Sequence, residues 1–141
     1  MISKWWNKKW DWQEPPVEIM LVAGGQRSFE IDFFEAVSRR QRDYWEVLAV
    51  LGNHYTAEKR YREGLVIDRR LAQLRPEDPV VFYNLACSYS LVGSVSFALE
   101  ALERSLALGY RDFPHLMKDR DLDAVRSDRR FEGLIAPYVK A

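Results

Sequence analysis

The chain has 141 residues, a length that fits one domain. Its residues are 48% hydrophobic, and 21 Lys or Arg balance 21 Asp or Glu. The hydrophobic content therefore favours a folded core. Because the net charge is zero, the chain as a whole has no electrostatic attraction to nucleic acid or to an anionic membrane. One cysteine, Cys87, excludes an intramolecular disulfide framework and indicates a reducing compartment.

Tryptophan is concentrated in residues 1–16, a Trp-rich N-terminal segment. The segment could cover the open end of the fold, bind a partner protein or a second copy of the chain, or touch a membrane surface with its Trp and Lys side chains. It lacks the apolar stretch of a signal peptide, and the run Ile19–Ala23 is too short to span a bilayer, so we expect a cytoplasmic protein. The tryptophans concerned are Trp5, Trp6, Trp10 and Trp12.

Residues 17–43 predict a shortened, degenerate copy of the helix pair that follows. Pro15 and Pro16 precede a short helix over Val17–Ala23, for which a lone strand is the alternative. Gly24 marks the turn. The end of a second helix is indicated by Phe33, Ala36 and Val37.

Residues 44–78 and 79–111 predict two similar helix pairs, because the sequence matches itself at a shift of 34 residues. Each unit has apolar residues at helical spacing, a break near Lys59 or Gly93, and a second helical stretch. Asp78 is a candidate N-cap before Pro79 at the first helical position. The matched pairs are Leu48/Phe82, Leu51/Leu85, Gly52/Ala86, Tyr55/Tyr89, Gly64/Ala98, Leu65/Leu99 and Leu74/Leu108.

This spacing of large and small residues resembles the tetratricopeptide repeat. The resemblance implies an all-α fold, in which antiparallel helix pairs stack into a right-handed superhelix with a C-terminal helical cap. Asp68 and Leu71 depart from the family pattern, which predicts that the second helix of the first unit packs loosely or shifts. The second unit has Tyr110 where the family has proline.

Residues 112–141 are interpreted as a terminal cap, which would cover the open face of the last repeat. Asp112 can cap a short helix that carries Pro114 and Leu116, and Asp128 can cap a final helix. The region resembles a tail that follows the last repeat in many bacterial tetratricopeptide proteins, with Arg120 and Arg129 in place of two prolines. The shared residues are Asp119, Asp121, Leu122, Arg126, Asp128, Arg130 and Phe131, and Phe131, Leu134 and Ile135 are expected to face inward.

The sequence contains no complete motif for a catalytic or metal-binding site. Asp119, Asp121 and Asp123 alternate as in a calcium loop, but Ala124 and Arg130 stand where that loop needs Gly and Glu. The two histidines and Cys87 do not have the spacing of a zinc site. We therefore expect no catalytic residue, no metal, no cofactor and no enzyme activity.

The resemblance implies a concave groove, lined by the first helix of each repeat, that binds a peptide or helix of a partner protein. Asn53 and Asn84 are spaced like an asparagine pair with which some family members hold a peptide backbone or C-terminal carboxylate, although Ala49 replaces the lysine of the full clamp. The expected function is a protein-interaction or assembly module, and the alternative is a membrane-peripheral adaptor anchored by the Trp-rich segment. The predicted groove residues are Ala49, Asn53, Thr56, Tyr83, Asn84, Cys87 and Ser90.

Overall fold

The computed structural model describes residues 26–40 and 44–139, and within this part of the chain the regular secondary structure is helical throughout. Among the helices of these two ranges, none combines the length and the apolar character that crossing a bilayer requires. The four N-terminal tryptophans and the helix or strand predicted over Val17–Ala23 lie outside the described residues. The cytoplasmic location expected above stays a prediction.

Five longer helices form a consecutive series in which each helix packs against the next. The C-terminal part then folds back, so that a 3₁₀ turn packs against α4 and the last helix packs against α5. The helices are α1 (Gln26–Arg40), α2 (Trp45–Ala57), α3 (Tyr61–Leu74), α4 (Pro79–Leu91), α5 (Val95–Leu108), α6 (Phe113–Lys118), the 3₁₀ turn (Arg120–Leu122), α7 (Asp123–Arg126) and α8 (Arg130–Val139).

The 34-residue period of the sequence recurs in the helix boundaries, since α4 and α5 begin and end 34 residues after α2 and α3. The intervening turns also match. The N–H of Arg60 donates to the carbonyl of Tyr55 at 2.8 Å, and that of Ser94 donates to Tyr89 at 2.9 Å. Lys59 and Gly93 have positive φ values, of 60° and 84°, which confirms the two predicted breaks.

The start of α4 has the predicted cap. The Asp78 carboxylate accepts from the backbone N–H groups of Val80 at 2.9 Å and Val81 at 3.3 Å, with Pro79 at the first position of the helix. These bonds satisfy donors that a helix start leaves without intrahelical partners. The N-cap prediction is therefore confirmed.

The core extends without interruption from α1 into the C-terminal cap. The predicted loosening of α3 is wrong, because Ile67, Leu71 and Ala72 are 1%, 3% and 1% exposed. Gly52 permits this close packing, since a Cβ there would lie 3.3 Å from Cγ2 of Ile67 on the neighbouring helix. Leu71 thus fills the core although it departs from the family pattern.

The C-terminal cap has the predicted helix starts. Asp112 accepts from the N–H of His115 at 3.2 Å, and Asp128 accepts from the N–H of Arg130 at 2.9 Å. Arg126 joins the pieces through hydrogen bonds to the carbonyls of Leu116 and Asp119. Leu116, Leu122, Val125 and Phe131 are buried, and Leu134 and Ile135 are partly buried against the core.

Candidate functional site

A cleft of about 360 Å³ opens between α2, α4 and the C-terminal cap, and we refer to it below as the cleft. Helices α2 and α4 form two of its walls, a buried side chain of α3 contributes to its lining, and α6 and the following 3₁₀ turn close one side. The lining residues are Gly52, Asn53, Thr56, Ala57, Asp68, Tyr83, Asn84, Cys87, Ser88, Leu91, His115, Asp119 and Asp121.

Most of the predicted groove residues line this cleft, but two do not. Ala49 is partly buried against the core, and Ser90 is buried at 5% exposure. Their role in binding a partner stays a prediction. The predicted residues that line the cleft are Asn53, Thr56, Tyr83, Asn84 and Cys87.

Asp119 of the cap binds the wall of the cleft through several hydrogen bonds. Its Oδ2 accepts from the Tyr83 hydroxyl at 2.7 Å and from the Cys87 thiol at 3.7 Å, and it lies 3.3 Å from Nε2 of His115. Its Oδ1 accepts from the backbone N–H of Asp121 at 3.0 Å. The Asp119 carboxylate therefore holds the 3₁₀ turn against α4.

The aromatic ring of Tyr83 also contacts Tyr110, which precedes the cap, and His115 of α6. It stacks on Tyr110 with ring centroids 4.3 Å apart and lies 5.7 Å from the ring of His115. Burial, and next the hydrogen bond to Asp119, raise the pKa of the Tyr83 hydroxyl. Tyr83, which was expected to contact a ligand, lines the cleft and also joins α4 to the cap through Asp119.

Cys87 has the properties of a packing residue. Burial raises the pKa of its thiol, and the nearby Asp119 carboxylate raises it further. Since the thiolate is the nucleophilic form, this environment keeps the sulfur unreactive at neutral pH.

The floor of the cleft contains the buried carboxyl of Asp68, which is 7% exposed. Its Oδ2 accepts a hydrogen bond from the Ser88 hydroxyl. Burial raises the pKa of Asp68 to about 7, although the bond from Ser88 acts in the opposite direction. Gly52 makes room for this group, because a Cβ there would lie 3.2 Å from Oδ1.

Several polar groups of the cleft are available to a ligand. Asn53 and Asn84 are exposed, and within residues 30–39 and 44–139 their side-chain amides have no hydrogen-bond partner. In the same ranges, the carboxylate of Asp121 and Oδ1 of Asp68 accept no hydrogen bond. Burial, and next the charge of Asp119, raise the pKa of Asp121. The cleft thus offers two amides and two carboxyl groups with unused acceptors.

The calcium-like spacing of Asp119, Asp121 and Asp123 does not bring the three side chains to one point. Asp123 forms an ion pair with Arg126. Asp119 and Asp121 instead lie near Cys87, and one carboxylate oxygen of each and the Cys87 sulfur are within 4.8 Å of one another. A metal ion there would need the thiolate of Cys87 and oxygens of Asp119 that already accept hydrogen bonds. The expectation that the chain binds no metal stays a prediction.

Sequence reasoning missed the acidic character of the cleft. Asp68, His115, Asp119 and Asp121 line it, but none was predicted as a groove residue. One signal was present for Asp68, which is a charged residue on the inward face of an amphipathic helix. The cap residues gave no comparable signal, because their position against α4 depends on how the chain folds back.

Comparison with known proteins finds sequence similarity to a plant protein but assigns no family. No protein-family model matches the sequence. A curated chloroplast protein from Arabidopsis thaliana is 31% identical over 107 residues, which cover 74% of this chain and 30% of that protein. The chain therefore spans less than a third of the length of this relative.

Proposed function

We propose that this chain is a non-catalytic helical-repeat module of the tetratricopeptide type, which binds an extended segment of a partner protein in the cleft. In this proposal, the helix pairs α2–α3 and α4–α5 are successive repeats of a right-handed superhelix. The proposal is supported by the 34-residue recurrence of helix boundaries and turn hydrogen bonds. It is also supported by the position of the cleft, to which α2 and α4 contribute corresponding faces.

The observation that carries the proposal is the pair of amides, Asn53 and Asn84, at one cleft, whose side chains have no hydrogen-bond partner among residues 30–39 and 44–139. An extended peptide presents alternating backbone N–H and C=O groups along each edge. A side-chain amide can donate to one and accept from the other, which makes it a suitable ligand for peptide backbone. Two such amides, from the first helices of successive helix pairs, would fix both the register and the direction of the bound segment.

Selection of short peptides from a random library on the full chain tests this proposal, because it does not require the partner to be identified first. The affinity of selected peptides would be measured by fluorescence anisotropy for the unaltered chain, Asn53→Ala and Asn84→Ala. Each substitution removes hydrogen bonds worth about 1–1.5 kcal/mol and should weaken binding about tenfold. The helical circular-dichroism signal should stay unchanged, because both side chains are exposed.

Glu103→Ala provides a matched control, because Glu103 is an exposed residue of α5 that does not line the cleft. It should leave the affinity unchanged. If both asparagine variants also bind as tightly as the unaltered chain, the binding face lies elsewhere. Tyr83→Ala is unsuitable for this test, since it would disturb the attachment of the cap.

A further inference from the structure

We infer that the cleft selects segments that carry lysine or arginine, with the cationic head group bound by Asp121 and by Oδ1 of Asp68 on the floor. This inference deepens the proposed function and rests on it, because it assigns the chemistry of the segment that the two asparagines hold. Both carboxyl groups line the cleft, Asp68 from α3 and Asp121 from the 3₁₀ turn.

The lining of the cleft is locally acidic. Its lining contains three carboxyl groups, those of Asp68, Asp119 and Asp121, and among the described lining residues there is no Lys or Arg. Over the whole chain, acidic and basic residues are equal in number. The cleft is therefore a local departure from a balanced surface, and a concave acidic site attracts cations.

Asp68 and Asp121 have carboxyl oxygens that accept no hydrogen bond from residues 30–39 and 44–139. Asp68 is more than nine-tenths buried, and Ser88 satisfies only its Oδ2. Its Oδ1 can accept a hydrogen bond from a ligand in the cleft. Asp121 is partly buried with a carboxylate that accepts no hydrogen bond in residues 30–39 and 44–139. A guanidinium or ammonium group carries enough donors to serve both carboxyls.

The hydrogen bonds of Asp119 favour a peptide side chain over a metal ion. Its oxygens already accept from Tyr83, Cys87 and the backbone of Asp121. A metal ion would have to displace these bonds, whereas a lysine or arginine could leave them intact and use the other two carboxyl groups. Ala57 and Leu91 also line the cleft and would contact the aliphatic stem of such a side chain.

The same charges argue against the C-terminal carboxylate that the asparagine pair suggested. A carboxylate bound by Asn53 and Asn84 would face the negative charge of Asp121 and Asp119. His115, a lining residue that can carry positive charge, lies 3.3 Å from Oδ2 of Asp119 and is already partnered by that carboxylate. The amides are therefore better suited to the backbone within a chain than to its acidic end.

Four labelled peptides of one length test the inference. They are N-acetylated and C-amidated to remove terminal charges, and they differ only at a central Lys, Arg, Gln or Glu. The full chain should bind the Lys and Arg peptides about tenfold more tightly than the Gln peptide, and the Glu peptide most weakly. In Asp121→Asn the preference for Lys over Gln should fall to less than about threefold.

Glu103→Gln removes the same charge from an exposed site outside the cleft and should retain the preference. Equal binding of Lys and Gln peptides, tightest binding of the Glu peptide, or an equal effect of Asp121→Asn and Glu103→Gln would overturn the inference. Titration with Zn²⁺ or Ca²⁺ provides a further arm. An ion that binds in the micromolar range and displaces the Lys peptide would reassign the carboxyl groups to a metal.

The outcomes also separate this inference from the function on which it rests. If the peptides bind without a charge preference but Asn84→Ala weakens them, the peptide cleft stands and the cationic partner is wrong. If neither these peptides nor library-selected ones bind the cleft, the proposed function fails and the inference fails with it.

Discussion

Replacing Asp68 with Asn should make the stability of the protein less dependent on pH. Burial raises the pKa of Asp68 from 3.8 to about 7 in the folded protein, whereas the unfolded chain titrates at the ordinary value. Between these values the folded state binds more protons than the unfolded state, so stability falls as the pH rises. Asn retains an oxygen that can accept from Ser88 but carries no charge to desolvate.

The pKa difference sets the expected magnitude. About three pH units, at 1.36 kcal/mol each, correspond to roughly 4 kcal/mol of lost stability once Asp68 is ionised in both states. Most of this loss should develop between about pH 4 and pH 7. Asp68→Asn should therefore differ little from the unaltered chain near pH 4, and should be more stable by up to roughly 4 kcal/mol near pH 8.

Urea denaturation followed by circular dichroism at several pH values between about 4 and 8 would measure this difference. Glu103→Gln removes an exposed carboxylate, and its stability relative to the unaltered chain should not change with pH. Ser88→Ala removes a hydrogen bond that lowers the Asp68 pKa, so the loss of stability should extend to higher pH. A difference between Asp68→Asn and the unaltered chain that does not change with pH would refute the reasoning. Lower stability of the variant near pH 8 would refute it as well.

The packing around the cleft leads to two further predictions. Gly52→Ala should destabilise the fold by about 1–3 kcal/mol, because its Cβ would meet Ile67 and Asp68 at 3.3 and 3.2 Å. Gly64→Ala is the matched control, because a Cβ there would have its nearest contact at 3.5 Å and alanine favours helix over glycine by about 1 kcal/mol. Equal loss of stability in both variants on urea denaturation would contradict this account. Tyr83→Phe should cost about 1–2 kcal/mol, because it removes the hydroxyl that donates to Asp119 at 2.7 Å. An unchanged urea midpoint would mean that this bond does not help to hold the cap.

Local sequence signals predicted the repeated helices because the responsible interactions are local. The breaks at Lys59 and Gly93 and the caps at Asp78, Asp112 and Asp128 each depend on residues a few positions apart. Asp68 shows where such reasoning stops. As a departure from an apolar pattern it predicted a loose helix, but Ser88 on the next helix accommodates the carboxyl and Ile67 beside it still fills the core.

The periodicity of apolar residues predicted the helices and the turns of residues 44–111. The resemblance to the tetratricopeptide repeat, and not this periodicity, indicated that Asn53, Thr56 and Asn84 share a groove, and all three line the cleft. The acidic chemistry of the cleft depends instead on contacts between residues far apart in the chain, such as the bond between Tyr83 and Asp119. Those contacts follow from the cap folding back onto α4, which no local pattern encodes.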